Sequence, residues 1–358
     1  MDNLRLVVME NCKELGEKVN IHLKELMGET EDLIIPVEEV KFNNGEGKVV
    51  IKESVRKKDL FILTDPMNHS ITYKMYNYIN HKSPDDHYVD VIRTLCAIRN
   101  NAERVNLVMP FLYASRQHKR DGRESLDCAV ALQEFIHQGV KNIITFDVHD
   151  SNVQNAIPSS SFDNFYPTNI ILEKFVTTED VCKDNLLAVS PDNGALKRTR
   201  FYANMLGCEL GGHFEKHRDL YHVVDGKNPI LEHEYIGKDV AGKDIIIVDD
   251  MIASGESMLD VARELKNRGA KRIYMFSAYV MFTKGIEVFE KAYKEGLFTK
   301  IFTTNLSYIL DEAKDKEWLE IGDCSEYLAK IIYTFHIGGS VSPILSATSK
   351  VLEDFAKN

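Results

Sequence analysis

The chain has 358 residues, and its 55 acidic residues outnumber its 44 lysines and arginines, which leaves a formal net charge of -11. This charge argues against a general nucleic-acid binder and against a membrane-surface protein, because both need a basic face. The six scattered cysteines form no CxxC pair, and neither a signal peptide nor an apolar run of about 20 residues is visible, so we expect a soluble cytoplasmic protein with reduced thiols.

Strand and helix patterns alternate along the chain, which is typical of βαβ units and parallel sheets. The predicted strands are residues 59–64, 105–110, 142–148, 186–190, 245–248 and 272–279. The predicted helices are residues 88–99, 125–138, 195–206 and 256–268, and a glycine follows each of the last three. We therefore predict an α/β fold with two sets of such units, divided near residue 160 by the polar, proline-bounded segment 157–167.

Residues 243–259, KDIIIVDDMIASGESML, are the most informative segment. An apolar strand ends in Asp249 and Asp250, a turn of small residues follows, and a helical pattern begins at Glu256. Such a turn can hold a phosphate, because a helix N-terminus presents free N–H groups and the positive end of the helix dipole. The acids could then face ribose hydroxyls. An ordinary strand-to-helix turn with solvated acids has the same pattern, and this segment alone does not separate the two interpretations.

Three other strand ends carry polar residues, and ligands bind beyond the carboxyl ends of strands in open parallel sheets. Arg116 follows the strand at 105–110 with two further cations, which indicates an anion site or a solvated basic loop. His149 follows the strand at 142–148 and could contact a metal or phosphate, or serve as a structural hydrogen-bonding group. Asp192 follows the strand at 186–190 and could associate with Mg²⁺ or cap the next helix.

A further cationic cluster, Lys216-His217-Arg218, opens the stretch 218–242, which lacks a sustained period and predicts a mobile loop or β-flap. Cations on such a loop suit charge stabilisation in phosphoryl transfer, although a surface charge cluster has the same composition. Neither a Walker-A loop nor a GxGxxG fingerprint occurs in the chain, so the common nucleotide-binding motifs do not account for these strand ends.

Seven segments in this order, spanning about residues 40–345, resemble the ribose-phosphate diphosphokinase family, whose members make phosphoribosyl diphosphate (PRPP). The segments are KFNNGEGKVVIKESVRKKDLFIL, PFLYASRQHKR, RESLDCAVALQEFIHQGVKNIITFDVHDSNVQ, SPDNGALKRTR, FEKHRD, VDDMIASGES and GGSVSPIL. The resemblance implies two phosphoribosyltransferase-type domains, each a mostly parallel sheet flanked by helices. The first would comprise residues 1–160, completed by about 320–358, and the second residues 161–319 with the phosphate loop and the flap.

The resemblance also implies the reaction, which is transfer of the diphosphoryl group of ATP to the 1-hydroxyl of ribose 5-phosphate with Mg²⁺, giving PRPP and AMP. By the same resemblance, the residues implied for ATP are Phe42, Asn44 and Glu46, supplied to a neighbouring subunit's site, together with Arg116 and Gln117. The residues implied for the other roles are His149 and Asp192 for Mg²⁺, Lys216 and Arg218 as catalytic flap cations, Asp249 and Asp250 for ribose, and Ser254, Gly255 and Ser257 for the 5-phosphate. A homo-oligomer built from dimers, with a hexamer as one form, is implied as well.

The chain departs from the family pattern in the phosphate loop, where Ala253 replaces an aspartate and Glu256 replaces a glycine. These changes leave open a catalytically silent homologue that acts as a binding or regulatory partner. A second alternative is a phosphoribosyltransferase that uses PRPP to make a nucleotide, because such enzymes share the loop with the acid pair.

Overall fold

The computed structural model of the chain describes residues 3–99, 101–120, 122–218, 230–346 and 349–357. Two compact units divide the chain. Unit 1 comprises Met1–Pro167, Asn305–Tyr308 and Asp323–Ala347, and unit 2 comprises Thr168–Thr304, Ile309–Gly322 and Thr348–Asn358. Within the described residues, no helix combines the length and the apolar character needed to cross a membrane.

The strands and helices are numbered in chain order. The strands are β1 (Leu4–Val8), β2 (Val37–Lys41), β3 (Gly47–Ile51), β4 (Asp59–Leu63), β5 (Thr72–Met75), β6 (Tyr78–His81), β7 (Arg104–Val108), β8 (Asn142–Phe146), β9 (Ser161–Phe165), β10 (Leu186–Ser190), β11 (Glu209–Arg218), β12 (Ile230–Gly237), β13 (Asp244–Ile252), β14 (Arg272–Val280), β15 (Lys300–Thr304) and β16 (Leu319–Gly322). The helices are α1 (Lys13–Met27), α2 (Pro84–Ile98), α3 (Asp127–His137), α4 (Thr168–Thr178), α5 (Leu196–Leu206), α6 (Glu256–Asn267), α7 (Glu287–Lys294), α8 (Asp311–Lys314), α9 (Ser325–His336), α10 (Ser342–Ser346) and α11 (Lys350–Lys357).

Unit 1 is built on a parallel sheet whose strands, in the described part of the chain, have the order β1-β4-β7-β8-β9. Every residue of β4 is buried, as expected for a central strand that has helices on both faces. Two antiparallel hairpins, β2–β3 and β5–β6, lie outside this sheet. The sequence analysis did not predict either hairpin.

Helix α2 begins four residues before its predicted start at Tyr88. Ser83 is its N-cap and accepts a hydrogen bond from the Asp86 N–H, while the Asp86 carboxylate accepts one from the Ser83 N–H. Pro84 occupies the first helical position, where its missing N–H is not needed. This capping box starts the helix before its apolar pattern begins. Periodicity detects only the apolar pattern, so it places the start of the helix too late.

Unit 2 is built on a sheet of order β12-β11-β10-β13-β14-β15-β16 in the described residues, parallel apart from the antiparallel pair β11–β12. Phe175 of α4 meets Tyr274, Phe276 and Phe302 of the sheet edge-on, with ring centroids 5.0 to 5.3 Å apart. These four rings are fully buried and fill one face of the sheet. The two mostly parallel sheets flanked by helices confirm the predicted α/β class.

One feature of unit 2 differs from the predicted elements, and a second agrees with one of the two predicted alternatives, the β-flap. Strand β13 continues to Ile252, because it pairs with β14 as far as Val280, so Asp249 and Asp250 lie inside the strand rather than after it. The described part of the predicted loop or flap forms the antiparallel pair β11–β12, while residues 219–229 lie outside the described residues.

The tail of the chain also differs from the predicted domain limits, which placed residues 320–358 with the N-terminal domain. Residues 348–358 belong to unit 2, because Leu352 of α11 is fully buried in the cluster that contains Phe175 and Tyr202. Lys183 also donates a hydrogen bond to the Ala356 carbonyl (2.8 Å). The predicted division into two domains near residue 160 stays a prediction.

Asp65, two residues after the end of β4, has a buried carboxyl group. It accepts hydrogen bonds from the Ser307 hydroxyl (3.0 Å) and from the N–H groups of Met67 (3.0 Å) and Tyr308 (2.7 Å). Burial outweighs these donors and raises the pKa of Asp65 to about 6. The group therefore binds its proton more tightly in the folded chain than in the unfolded one.

We expect the Asp65→Asn variant to gain stability relative to the parent as pH rises. The raised folded-state pKa makes the contribution of Asp65 fully present below its unfolded value of 3.8 and progressively lost as pH rises through about 6. A shift of about two pKa units corresponds to about 3 kcal/mol at neutral pH. Chemical denaturation of both proteins from pH 4 to pH 8 measures the difference, and a difference that does not change with pH contradicts the assignment.

Candidate functional site

The turn between β13 and α6 in unit 2 requires glycine at position 255. Gly255 has φ +84°, and a Cβ there would lie 2.1 Å from Cζ of Phe289. Phe289 cannot easily move away, because it is fully buried and packs against Phe282 and Trp318. The close approach of this backbone to a ring fixes the path of the chain into α6.

The start of α6 has the features of an anion-binding site. Its N-cap residue, Gly255, makes no side-chain cap, and a helix N-terminus presents N–H groups at the positive end of the helix dipole. The Ser257 hydroxyl is buried and has no hydrogen-bond partner in the described structure. A buried hydroxyl without a partner is costly, and a phosphate oxygen at this position would satisfy it.

Glu256, which replaces a family glycine, carries a negative charge into this loop. Its carboxylate accepts a long hydrogen bond from the Ser254 hydroxyl (3.4 Å) and forms an ion pair with Lys284 Nζ (2.6 Å). Both partners of the ion pair are about 60% exposed, so the pair contributes little to stability. The pair does offset the negative charge of Glu256, so this charge no longer stands unopposed beside a bound phosphate.

Three carboxylates lie near one another where β10 and β13 run side by side. The Asp250 N–H donates to Asp249 Oδ1 (2.9 Å), and the Ser277 hydroxyl donates to the Asp250 carbonyl (3.0 Å). Burial, together with the charges of Asp250 and Asp192, raises the pKa of Asp249, while Arg198 opposes the rise. Because the negative charge of Asp249 is disfavoured here, a bound cation or a hydroxyl group that donates a hydrogen bond to its carboxylate would stabilise that charge.

Asp192 also binds the start of the next helix, which is the structural role that the sequence allows for it. Its Oδ1 accepts a hydrogen bond from the Ala195 N–H (3.0 Å) at the start of α5, and the Ser190 hydroxyl donates to its carbonyl (2.7 Å). These contacts fix the loop after β10 and hold the carboxylate in place. A fixed carboxylate is compatible with the predicted Mg²⁺ association, because the two oxygens of one carboxylate can serve different partners.

The described residues contain no group of three or more His, Cys, Asp or Glu that could hold a metal ion alone. Mg²⁺ is commonly bound by one or two carboxylates and completes its shell with water and substrate phosphates. Asp192, the carboxylate predicted for Mg²⁺, lies in unit 2. His149 lies in unit 1, and its imidazole nitrogen suits Mg²⁺ less well than a carboxylate does.

In unit 1, the loops after β7 and β8 meet at the carboxyl edge of the sheet. His118 of the first loop and His149 of the second have ring centroids 5.3 Å apart, and His118 Nε2 lies 3.4 Å from Asp150 Oδ2. Asp147, which precedes this histidine, has φ +39°. Such a conformation is costly for a non-glycine residue and is often found at functional sites.

Arg116 and Gln117, both predicted to bind ATP, lie in the loop after β7. Arg116 is exposed, and the Gln117 side-chain amide donates to the Ser125 carbonyl (2.9 Å). Ala114, just before them, has φ +54°, and its carbonyl accepts a hydrogen bond from the Gln117 N–H (2.8 Å). The loop therefore presents an exposed guanidinium on an ordered turn.

The tip of the β2–β3 hairpin carries the other three residues predicted to bind ATP. The Phe42 ring is 44% exposed, and the Asn44 amide donates to the Glu46 carboxylate (2.8 Å). The Tyr76 N–H of the β5–β6 turn donates to the Asn43 carbonyl (3.0 Å), which supports one side of the tip. The tip is thus ordered, with an aromatic face and polar groups directed to its surface.

The two predicted catalytic cations lie on the last residues of β11. Lys216 pairs with His233 and Arg218 with Ile230 in the antiparallel ladder with β12. Their side chains lie outside the described residues.

Comparisons with known proteins agree on one family. Residues 4–139 match the model of the N-terminal domain of ribose phosphate pyrophosphokinase, and residues 179–308 match the phosphoribosyl transferase domain. The ribose-phosphate pyrophosphokinase of Ralstonia nicotianae is 30% identical over 253 residues, which are 68% of this chain and 70% of that protein. The chain belongs to the ribose-phosphate pyrophosphokinase family.

Further similarities to this family cover nearly the whole chain. The ribose-phosphate pyrophosphokinase of Mycoplasmopsis pulmonis is 26% identical over 350 residues, which are 96% of this chain and 94% of that protein. The crystal structure of phosphoribosylpyrophosphate synthetase from Mycobacterium smegmatis matches with a TM-score of 0.76 at 22% identity, and covers 94% of this chain and all of that one. The pyrophosphokinase fold therefore extends over both units.

Several contacting residues of the candidate site were not predicted from the sequence. Lys284 neutralises Glu256 from a position 28 residues away, and Arg198 acts on Asp249 from another helix. His118, in the loop after β7, contacts His149 in the loop after β8. These pairs join loops that the fold brings together, so no local spacing could have indicated them.

Proposed function

We propose that the chain transfers the diphosphoryl group of ATP to the 1-hydroxyl of ribose 5-phosphate and releases PRPP and AMP, which is the reaction of its family. The observation that carries this proposal is the loop before α6, where the unpartnered Ser257 hydroxyl lies buried at an uncapped helix N-terminus of the described structure. A phosphorylated sugar satisfies both features at once.

Ribose 5-phosphate would bind along the end of β13. Ser254, Gly255 and Ser257 would hold the 5-phosphate through hydroxyl and N–H groups, while Asp249 and Asp250 would accept hydrogen bonds from the ribose hydroxyls. Ribose hydroxyl groups are good donors to carboxylates, and the buried pair is fixed by its own backbone contacts. The sugar would therefore be held at both ends, which orients its 1-hydroxyl.

ATP would bind to unit 1 residues. Arg116 would pair with phosphate oxygens and Gln117 would help order the loop, while Phe42, Asn44 and Glu46 would contact adenine in a neighbouring subunit's site. An exposed aromatic face and polar side chains are suited to a nucleobase, which stacks and forms hydrogen bonds. We also propose a cytoplasmic homo-oligomer built from dimers, on the basis of family membership, and light scattering of the purified protein tests its size.

Negative charge accumulates on the phosphoryl oxygens during this transfer, so fixed cations are needed more than a strong base. Lys216 and Arg218 are proposed to supply them. Bound Mg²⁺ would neutralise the phosphates. Asp192 of unit 2 and His149 of unit 1 are the residues that we propose to associate with Mg²⁺.

The test is a Mg²⁺-dependent AMP-release assay with ATP, in the presence and absence of ribose 5-phosphate. We expect AMP and PRPP in equal amounts only when both substrates and Mg²⁺ are present. ATP binding without AMP release by the folded protein would instead indicate the silent regulatory homologue. Nucleotide formation from PRPP and a nucleobase, without AMP release from ATP, would indicate a phosphoribosyltransferase.

A further inference from the structure

A set of charged side chains fastens the β2–β3 hairpin of unit 1 to α2 and the residues before it. We name this set the hairpin clasp; its members are Glu39, Lys41, Lys82, Asp86, Asp90 and Arg93. The tip of the same hairpin, residues 42–46, starts directly after Lys41. The clasp therefore lies at the base of the loop that is proposed to contact adenine.

The centre of the hairpin clasp is a buried lysine between two buried carboxylates. Lys82 Nζ lies 2.8 Å from Glu39 Oε2 and 3.0 Å from Asp90 Oδ2, and the three side chains are only 3 to 4% exposed. The contact with Asp90 is an ion pair whose angles fall short of hydrogen-bond geometry. Burial opposes the charge of Lys82, but Glu39 and Asp90 raise its pKa overall, so the ammonium stays charged.

Two further contacts extend the hairpin clasp on both sides of this centre. Lys41 Nζ lies 2.7 Å from Asp86 Oδ1, and Arg93 Nη1 lies 2.7 Å from Asp90 Oδ1. Arg93 also lies against the hairpin backbone, because a Cβ at Gly47 would come within 2.7 Å of its Nη1. Gly47 is the first residue of β3, so the clasp grips the strands on either side of the tip.

The spacing of these residues matches the two elements they join. Glu39 and Lys41 are two residues apart on β2 and therefore point to the same face of the strand. Asp86, Asp90 and Arg93 follow at i, i+4 and i+7 and share one face of α2. Three positive and three negative side chains meet between these faces, and shifting the strand by one residue would turn both of its charges away.

Stability alone does not explain such a cluster. Charged groups are costly to bury, and well-packed apolar residues of similar volume often stabilise a protein as much or more. A set of paired charges, in contrast, accepts only one register between strand and helix. The arrangement is therefore suited to holding the hairpin in one position.

We infer that the hairpin clasp holds residues 42–46 in the position that binds ATP, with Lys82 as the central positioning residue. This inference rests on the proposed function, because it takes residues 42–46 as a contact of ATP. It predicts an effect on ATP binding and none on ribose 5-phosphate binding. Lys82 itself does not contact the substrate; it acts through Glu39 and the strand that carries the tip.

The test compares Lys82→Met with the double variant Glu39→Gln/Lys82→Met. Lys82→Met leaves the buried Glu39 carboxylate without its nearest cation and the Asp90 carboxylate with Arg93 alone, so it should lower the stability and raise the KM for ATP. The double variant removes one of those carboxylates, so it should recover part of the stability. We expect its KM for ATP to remain about tenfold above the parent value, the scale of a misplaced binding group, with kcat and the KM for ribose 5-phosphate within about twofold.

The matched control is Glu38→Gln. Glu38 pairs with Lys52 on the opposite face of the same hairpin, where both side chains are about half exposed. This variant should retain the parent KM for ATP. Hydrogen exchange supplies an independent readout: amides of residues 37–51 should exchange faster in the double variant and remain protected in the control.

Two results would overturn the inference. The first is a KM for ATP that returns to the parent value in the double variant together with stability, which is the behaviour of a purely structural ion pair. The second is an amide hydrogen-exchange rate of residues 37–51 that is the same in Lys82→Met as in the parent protein. Failure of the parent protein to release AMP would instead reject the proposed function, while the exchange measurement would still test the clasp.

Discussion

Replacement of Lys216 by alanine is expected to lower kcat about 10²- to 10³-fold, the scale of a lost transition-state donor. Lys216 lies near the end of β11 in the ladder with β12, and we propose that its ammonium faces the transferring diphosphoryl group. Because the charge on this group grows during the reaction, the loss should appear in kcat, with smaller changes in the KM values of both substrates.

A suitable control for this variant is Lys238→Ala. Lys238 follows β12 and pairs with Glu209 at 2.8 Å on the surface, where both side chains are more than half exposed. Its removal should leave kcat close to that of the parent. Single-turnover measurements of AMP formation separate the chemical step from product release, and a near-normal rate for Lys216→Ala would remove the proposed role.

Gly255→Ala is expected to damage both the stability and the phosphate loop. The new Cβ would meet the Phe289 ring at 2.1 Å, and φ +84° is unfavourable for alanine. Left-handed strain and overpacking together should lower the free energy of unfolding by about 2 to 4 kcal/mol. Because the N–H groups that face the phosphate move with the turn, kcat/KM for ribose 5-phosphate should fall at least about tenfold.

Gly296→Ala separates backbone strain from the clash. Gly296 has φ +70°, and a Cβ there would have no heavy atom of the described structure within 4 Å. It should therefore lose only about 1 kcal/mol of stability and keep the parent kcat/KM. Denaturation curves and steady-state kinetics of the two variants provide the comparison, and equal effects at both positions would contradict the role of the close contact.

The parts of the fold that local pattern determines were predictable from the sequence. Strand β10 has its predicted bounds, because a buried apolar run lies between polar turns. The exposed hairpins β2–β3 and β5–β6 were missed, since their strands are short, half polar and without a continuous apolar face. The start of α2 was missed because a cap, rather than a periodic pattern, determines it.

In the candidate site, too, some features follow from the local sequence and others exist only in the folded chain. The loop around Gly255 could be predicted because its residues are contiguous and the geometry of a strand, turn and helix is local. The pairing of Glu256 with Lys284, and of Glu39 with Lys82, could not be predicted, because each pair joins segments that only the folded chain brings together. The positive φ of Asp147 is equally invisible in the sequence. The same is true of its N–H contact, because the Phe165 carbonyl that accepts it lies on the neighbouring strand β9.

The packing of α9 against α1 has a consequence for synthesis on the ribosome. Lys18 and Asp323 form an ion pair although 305 residues separate them, and Leu328, Ile331 and Ile332 of α9 are fully buried in unit 1. The N-terminal part of the nascent chain therefore emerges with an apolar surface that is covered only after residues 325–336 have been translated. Chaperones that shield such surfaces should associate with the growing chain until α9 leaves the exit tunnel.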